Sequence, residues 1–450
     1  MHLMTNAKIV TGGDTPQIIE SGAILIEAGV ITAIGDTRQL AADNPDAEVF
    51  DANGQYVMPG NICAHTHFYG AYARGMAIPG PAPKDFTEIL ERLWWPLDKA
   101  LDEEAVRYSA LVCLIDAIKH GTTTLVDHHA SPNFIDGSLD VIADAVDQAG
   151  LRASLCYEVT DRDGPTKAEA GIAENVRFLR SAKERPLVSA SFGLHAGLTV
   201  GDETLAQCVD AAQGLDTGFH IHVAEHESDQ DHSLQQYGLR VVDRLAKAGI
   251  LGPKTIVAHA VHTDAWELAV LRETGTWVAH QPRSNMNNGV GAAPLDTLLR
   301  GDINVVLGND GFSNNMWAEW KAAYLLHKVI NRDPRRAPGD GIAHMALQNN
   351  ARLAEMFFPE DRIGTLAVGA VADLILVDYQ PFTPLSAGNL PWHIIFGFEA
   401  SMVTGTMING RWLMVDRELL TLDEQAIVQA AREQAPLIWE RYEANVQKAL

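Results

Sequence analysis

The middle of the chain alternates short apolar runs with longer amphipathic stretches, and this alternation limits the fold more than any other feature. Eight runs have the length of buried β-strands, and most of them end in polar or ionisable residues. They cover residues 56–67, 122–130, 152–159, 188–196, 218–225, 255–262, 276–285 and 303–310. Helical stretches fill the gaps, several of them ending at the glycine expected just past a helix C-terminus. The pattern predicts an α/β fold, a (β/α)8 TIM-like barrel.

Both ends of the chain have a different texture. Residues 1–57 and the chain after residue 363 alternate apolar and polar residues between Gly, Asp and Asn. We therefore expect 1–57 plus 363–450 to form a small β-sandwich domain with a C-terminal helix, and 58–362 to form the barrel. Two unrelated β patches are the alternative. The amphipathic C-terminal segment is expected to pack on the body, or else on a partner subunit.

Composition limits the choice of partner. The formal net charge of −24 argues against nucleic acid polymers, whose phosphates require a basic surface. No long apolar run predicts a membrane span, and the first residues lack the layout of a signal peptide. The four cysteines are scattered without a CxxC pair, which fits a reducing compartment. We expect a cytoplasmic protein that binds a small molecule.

Ionisable residues gather where the predicted strands end, and this is where a barrel carries its active site. The first run ends in His65 and His67, whose spacing of two places both imidazoles on one side of a strand. The fifth, sixth and eighth runs add further candidates, which are His220, His222, Glu225, His259, His262 and Asp310. Each is weak evidence alone, but together they predict a metal site. Imidazoles with one carboxylate suit Zn²⁺ or another borderline divalent ion.

These residues belong to longer motifs that resemble a known family. The chain resembles the amidohydrolase superfamily in its ATZ/TRZ and cytosine/guanine-deaminase-like branch, and within that branch the SsnA-type aminohydrolases. The motifs that carry the resemblance are MPGNICAHTH, TTTLVDHHASP, FGLHAGLT, HIHVAEHESD, RSNMNNGVG and VGAVADLILVD. They extend over almost the whole chain.

By position, the resemblance implies a metal site and a proton shuttle. The implied metal ligands are His65, His67, His222 and Asp310. Glu225 would carry a proton to a ring nitrogen of the substrate, and His259 would bind the attacking water or the developing oxygen. Asp310 would also help to deliver a proton to the departing group.

The predicted third and fourth strands indicate one metal ion rather than two. Related binuclear enzymes use a carboxylated Lys, or a carboxylate, from a strand in this part of the barrel. Neither run ends in a lysine, although Glu158 could serve as such a carboxylate. We expect a single divalent ion, Zn²⁺, with Fe²⁺ as the alternative.

Substrate contacts are expected at the remaining strand ends. His195 ends the fourth run, where related deaminases place a substrate contact. His128 and His129 end the second run, and only one of two successive side chains can point inward. Arg283 could bind a carbonyl or carboxylate group, or form a salt bridge at the barrel rim. Asn285 could be a ligand contact or a turn residue.

The stretch after the first run could cover the site. It contains a Pro/Gly-rich segment followed by Phe86, Leu93, Trp94 and Trp95. These side chains could form an apolar wall over a planar ring, but they could equally belong to the core.

The combined features predict hydrolytic deamination of an amino-substituted nitrogen heterocycle by metal-bound hydroxide, with release of ammonia. Cyclic-amide ring opening and triazine chlorohydrolysis at the same site are the alternatives. An inactive fold kept for interactions is a third alternative. Relatives of this kind are commonly oligomeric, so we expect a homo-oligomer.

Overall fold

The computed structural model describes residues 1–449, and its elements follow the alternation of the sequence. The strands are β1 (His2–Val10), β2 (Ile18–Glu27), β3 (Val30–Gly35), β4 (Glu48–Asp51), β5 (Tyr56–Pro59), β6 (Asn61–Thr66), β7 (Thr122–Asp127), β8 (Arg152–Leu155), β9 (Val188–Ala190), β10 (Phe192–Ala196), β11 (Phe219–Val223), β12 (Ile256–His259), β13 (Trp277–His280), β14 (Val305–Leu307), β15 (Leu374–Val377), β16 (Val403–Ile408), β17 (Arg411–Val415) and β18 (Glu418–Leu419).

The α-helices lie mainly between the barrel strands and after them. They are α1 (Thr37–Asp43), α2 (Phe86–Ile89), α3 (Trp95–Asp98), α4 (Glu103–Lys119), α5 (Ser138–Ala149), α6 (Pro165–Ser181), α7 (Asp202–Ala212), α8 (Glu227–Tyr237), α9 (Val241–Ala248), α10 (Ala265–Thr274), α11 (Pro282–Asn287), α12 (Leu295–Arg300), α13 (Met316–Asn331), α14 (Gly339–Ala343), α15 (Asn350–Phe357), α16 (Leu390–Gly397) and α17 (Glu424–Ala449). Short 3-10 or π segments cover Phe68–Ala73, Leu90–Trp94, Ala182–Glu184, Gly197–Thr199, His344–Asn349 and Ala400–Met402. Within residues 1–449, none of the helices combines the length and the hydropathy that a bilayer crossing requires.

The strands from β6 to β14 form the barrel. They pair in parallel as β6-β7-β8-β9 and β10-β11-β12-β13-β14. Only Ser191 separates β9 from β10, so these two segments make up the fourth barrel strand. The eighth strand meets the first where the backbone N–H groups of Asn309 and Asp310 donate to the His65 carbonyl, at 2.9 and 3.1 Å. The predicted (β/α)8 fold class is confirmed.

Strands from both ends of the chain share one further sheet. Its order is β18-β17-β16-β15-β5-β1-β2-β3, with β4 paired to β1. The N-terminal and C-terminal parts meet where β15 runs antiparallel to β5. An apolar cluster that includes Met4, Ile24, Val57, Leu374 and Met407 packs inside this sheet. The exact domain limits at 57/58 and 362/363 stay a prediction.

The C-terminal helix packs on the body of the same chain. In α17, Trp439 Nε1 donates to the Tyr72 carbonyl at 3.0 Å, and the Tyr442 hydroxyl donates to the Arg92 carbonyl at 2.7 Å. Both carbonyls belong to the segment between β6 and α4. The helix therefore supports the segment that follows the first barrel strand.

A fully buried arginine joins the barrel to the terminal sheet. Arg152, the first residue of β8, donates from Nε to Asp373 and from Nη1 to Asp361, both at 2.6 Å. Its Nη2 contacts the Asn409 amide oxygen. A buried charge is tolerated only when it is paired and hydrogen-bonded, so these contacts hold the two sheets in register.

Replacing this arginine should destabilise the fold. We expect Arg152→Met to lower the free energy of unfolding by about 3–5 kcal/mol, because Asp373 would remain buried without a charged partner. Urea unfolding followed by tryptophan fluorescence measures the change. The exposed Arg335, which pairs with Asp333 on the surface, provides the control, and Arg335→Met should leave the unfolding midpoint unchanged. Equal effects of the two substitutions would contradict the role of Arg152.

Candidate active site

Four of the predicted site residues converge at the carboxyl ends of the barrel strands. His65 Nε2 and His67 Nε2 lie 3.0 and 2.9 Å from the same carboxylate oxygen, Oδ1 of Asp310. His222 Nε2, from β11, lies 3.2 Å from His67 Nε2. The first, fifth and eighth strands therefore bring three imidazoles and one carboxylate to one point.

Backbone carbonyls determine which nitrogen of each imidazole carries the proton. His67 Nδ1 lies 2.6 Å from the His128 carbonyl, and His222 Nδ1 lies 2.7 Å from the His195 carbonyl. Because a carbonyl can only accept, both Nδ1 atoms donate. Their Nε2 atoms face each other across 3.2 Å, and His67 Nε2 also lies 2.9 Å from Asp310 Oδ1. Burial lowers the pKa of His67, but the hydrogen bond to Asp310 outweighs this and raises it to about 9, so Nε2 can hold a proton that is shared with Asp310 and His222. A divalent cation in place of that proton would be bound by both Nε2 atoms, so this donor set fits a metal ion.

The third imidazole is oriented by another histidine. His65 Nδ1 lies 2.8 Å from Nε2 of His220, which is fully buried in the barrel. Burial lowers the pKa of His65 to about 3, so the ring is neutral and can offer Nε2 to a metal. His220 thus has the place of an orienting partner behind a ligand.

A carboxyl and an imidazole lie beside this donor set. Glu225 Oε2 is 3.4 Å from Nε2 of His259, which is 3.8 Å from Asp310 Oδ2. Burial raises the pKa of Glu225 from an ordinary 4.5 to about 7. A carboxyl with this pKa can both take up and release a proton near neutral pH.

The chain leaves three of these strand ends through left-handed backbone. Ala224, His259 and Asp310 have φ values of 50°, 75° and 55°, although none is a glycine. Such conformations cost about 1–3 kcal/mol each and concentrate at functional sites. Here these conformations change the direction of the backbone at the positions where Glu225, His259 and Asp310 lie beside the metal-ligand set.

A cavity of about 680 Å³ opens over the donor set. His67, His222, Glu225 and Asp310 form its polar floor. Apolar side chains from the segment after β6 also line it, and these are Tyr69, Phe86, Leu90, Leu93, Trp94 and Trp95. For the aromatic stretch after the first strand, the sequence allowed either a wall over the site or core packing. In the structure this stretch lines the cavity.

An acidic residue that the sequence did not single out also lines this cavity. Asp98 is buried and accepts from Arg162 Nη2 through Oδ2 at 2.8 Å. Its Oδ1 has no hydrogen-bond partner in the part of the chain that the structure describes. Burial raises the pKa of Asp98 to about 6. Its signal in the sequence was a single carboxylate that follows the apolar run LWWPL.

The fold and the donor set match a known family. The model of the amidohydrolase family matches residues 56–413, which is most of the chain. The chain belongs to the amidohydrolase family. A bacterial imidazolonepropionase-like composite domain also matches residues 22–47. The predicted family and its deaminase-like branch are confirmed, whereas the SsnA-type subgroup stays a prediction.

Similar proteins in this family are deaminases by name. The chain is 33% identical to a 5′-deoxyadenosine deaminase of Methanosarcina mazei, over 96% of this chain and 97% of the relative. It is 32% identical to a 5-methylthioadenosine/S-adenosylhomocysteine deaminase of Syntrophobacter fumaroxidans, over 96% of each. A zinc-bound adenosine deaminase from Xanthomonas campestris superposes with a TM-score of 0.83 at 27% identity, covering 97% of this chain and 98% of the other.

The guanidinium of Arg283 is engaged beside the cavity of this amidohydrolase, and Arg283 is not among the described residues that line the cavity. Nε pairs with the buried Glu319, Nη2 donates to the Ser313 carbonyl at 2.6 Å, and the group lies 5.2 Å from the Phe312 ring centre. These contacts favour the rim salt bridge that was its alternative role, and its substrate contact stays a prediction.

The histidine pair after β7 is also placed away from the cavity. His128 and His129 are fully buried. His128 Nε2 donates to the His220 carbonyl at 3.0 Å, and His129 Nε2 lies 2.8 Å from Ser131 Oγ. Both rings are thus held inside the barrel wall, and their expected substrate contacts stay a prediction.

His195 and Glu158 lie close to each other, with His195 Nε2 3.7 Å from Glu158 Oε2. His195 lines the cavity and is fixed by Thr199, whose Oγ1 lies 2.6 Å from its Nδ1. Glu158 Oε1 lies 3.3 Å from Nδ1 of His67, and Glu158, His195 and His222 bring ligand atoms within 4.8 Å of one another. His195 remains a candidate substrate contact, and the single metal ion stays a prediction.

Metal content tests the converging ligands. We expect His222→Ala to lose the divalent ion, because one of four donors is removed. The loss of affinity should exceed the roughly 10–100-fold that removal of an outer partner costs. Metal analysis of the purified protein measures it, with His232→Ala on α8 as the control that keeps one ion per chain. Full occupancy in His222→Ala would contradict the assignment.

Proposed function

We propose that the protein is a metal-dependent deaminase that hydrolyses the amino group of an adenosine-type nucleoside lacking a 5′-phosphate, and releases ammonia. The observation that carries the proposal is the Glu225 carboxyl, 3.4 Å from His259 and beside the converging ligands, with a pKa near 7. The names of the similar deaminases, which align over nearly their full length, support the same substrate class.

We propose that His65, His67, His222 and Asp310 hold one Zn²⁺ ion, with Fe²⁺ as the alternative. Three imidazoles and a carboxylate are ligands that Zn²⁺ accepts, and the similar adenosine deaminase contains zinc. When bound there, such an ion would activate water by lowering its pKa towards ~7.

The remaining groups would move two protons. Glu225 takes one proton from the attacking water and delivers it to the ring nitrogen next to the reacting carbon. His259 donates to the new oxygen and stabilises its charge. The second proton passes from that oxygen through Asp310 to the departing amino group. The C–N bond then breaks, which leaves a carbonyl on the ring and free ammonia.

The cavity suits a nucleoside better than a free base. Its volume lies in the range of about 300–1000 Å³ that drug-sized ligands occupy. The rings of Trp94 and Trp95 offer an apolar surface to a purine. Asp98 offers Oδ1 as an acceptor, which fits a sugar hydroxyl group.

The charge of the cavity disfavours a phosphate. Asp98, Asp116, Asp229 and two further carboxylates line it, whereas Arg74 is the one Lys or Arg among its described lining residues. A phosphate group would face mostly like charges, and such contacts cost several kcal/mol.

Other expectations from the sequence remain predictions. Ring opening and chlorohydrolysis remain alternative reactions, and the test below distinguishes them from deamination. An inactive fold would leave gaps among the ligands, whereas the convergence of His65, His67, His222 and Asp310 supports an active site. A cytoplasmic location and homo-oligomerisation also stay predictions.

A substrate panel tests the proposal. We expect the metal-loaded protein to release ammonia from adenosine, 5′-deoxyadenosine and 5′-methylthioadenosine. For adenosine 5′-monophosphate, we expect kcat/KM to be at least about 100-fold lower than for adenosine, because of like-charge repulsion. Free bases and aminotriazines are the comparison substrates. If none of the nucleosides releases ammonia, the proposed function fails. Comparable kcat/KM values for nucleoside and nucleotide would contradict the charge argument.

The proton shuttle has a separate test. We expect Glu225→Gln to keep its metal and to lower kcat by about 10²–10⁴-fold, because the amide can neither take up nor release the proton. Ammonia release and metal analysis measure both quantities. Its exposed neighbour Glu227 provides the matched control, and Glu227→Gln should retain full activity. Full turnover by Glu225→Gln would exclude the assignment.

A further inference from the structure

The short helix after the seventh barrel strand presents three polar side chains to the site. They are Ser284, Asn285 and Asn288, from α11 and the residue that follows it. Their contacts are Ser284 Oγ to Asp310 Oδ2 (2.5 Å), Asn285 Oδ1 to His259 Nδ1 (2.8 Å) and Asn288 Nδ2 to Glu225 Oε1 (3.2 Å). Each group that the proposed reaction uses for proton transfer therefore has one partner on this segment.

The segment is anchored at its base. The backbone N–H of Arg283 faces Glu319 at 3.3 Å, and the Arg283 side chain is held by the same carboxylate. Asn288 Nδ2 also lies 3.2 Å from Ser284 Oγ, as expected for side chains four residues apart on a helix. The position of Asn288 is thus fixed from two sides.

The chemistry of an amide determines what Asn288 can do to Glu225. An amide nitrogen only donates, so Oε1 of Glu225 acts as an acceptor. When Glu225 carries a proton, this contact therefore favours Oε2 as its position, because a protonated Oε1 would be a weaker acceptor for the amide. Oε2 is the oxygen that faces Nε2 of His259 at 3.4 Å.

Asn285 complements this arrangement at His259. Its Oδ1 accepts from Nδ1–H of His259 at 2.8 Å and so fixes the orientation of the ring. Nε2 has no hydrogen-bond partner among the described residues and points at Oε2 of Glu225. The other charged or titratable groups that act on Glu225 are Asp310 and His67, and a change at Asn288 leaves both in place.

We propose that Asn288 is a positioning residue that occupies Oε1 of Glu225 and so assigns the transferable proton to Oε2. Its effect on turnover rests on the proposed function, whereas its effect on Glu225 does not. Removing the amide would leave either oxygen of Glu225 free to carry the proton. It would also destabilise the carboxylate form and so raise the pKa of Glu225.

The first arm of the test does not need a substrate. Infrared titration of the metal-loaded protein follows the Glu225 carboxyl band, which Glu225→Gln identifies by its loss. We expect Asn288→Leu and Asn288→Ala to raise the titration midpoint by about one pH unit, because one donor to the charged form is lost. Met286→Ala, an exposed position on the same helix, should leave the midpoint unchanged. An unchanged midpoint in both Asn288 variants would overturn the proposal.

The second arm measures turnover. We expect Asn288→Leu to lower kcat about 30–100-fold with KM within about threefold, since a misplaced catalytic group costs up to ~10². In the Glu225→Gln background the same change should have no further effect on kcat, because Asn288 acts through Glu225. Independent, multiplicative losses would show a merely structural role and overturn the proposal. A shifted midpoint in a protein that releases no ammonia would leave Asn288 assigned and reject the proposed function instead.

Discussion

The site depends on one contact, the approach of two imidazole nitrogens, Nε2 of His67 and Nε2 of His222, to 3.2 Å. Each ring donates from Nδ1 to a backbone carbonyl, so both Nε2 atoms are directed at the centre of the site. A cation between the rings would be bound by both nitrogens, and Asp310, 2.9 Å from His67 Nε2, would neutralise part of its charge. The neighbouring proton-transfer groups, Glu225 and His259, can act only on a substrate that is bound at this centre.

The carbonyls that fix these tautomers come from neighbouring strand ends. The His128 carbonyl follows β7 and the His195 carbonyl belongs to β10, so the packing of neighbouring barrel strands fixes Nδ1 as the nitrogen that donates to the backbone in both ligands. The third imidazole ligand is oriented by a buried side chain, because His65 Nδ1 lies 2.8 Å from Nε2 of His220. The metal centre and the barrel wall are therefore one hydrogen-bonded unit.

The sequence predicted the parts of this site that follow local rules. The spacing of His65 and His67 on a strand, and the place of Asp310 behind a buried run, depend only on the strand period and on the position of active sites in barrels. The alternation of runs likewise predicted the fold class. The family resemblance added the proposed roles of Glu225 and His259, which no spacing rule supplies.

The sequence could not predict the orientation of side chains whose partners lie far away along the chain. Arg283 pairs with Glu319, 36 residues further on, so its direction depends on how α11 and α13 pack. His128 turns into the barrel wall because the carbonyl of His220 lies there. Asp98 reaches the cavity only through the fold of the segment after β6. None of these contacts has a periodic signal in the sequence.

The mass of the product formed in ¹⁸O-labelled water tests the account most directly. With 5′-deoxyadenosine and the metal-loaded protein, the account predicts a product in which one amino group has been replaced by one labelled oxygen, with an equal amount of ammonia. A product that gains a whole water molecule, with its ring opened and no ammonia released, would contradict it.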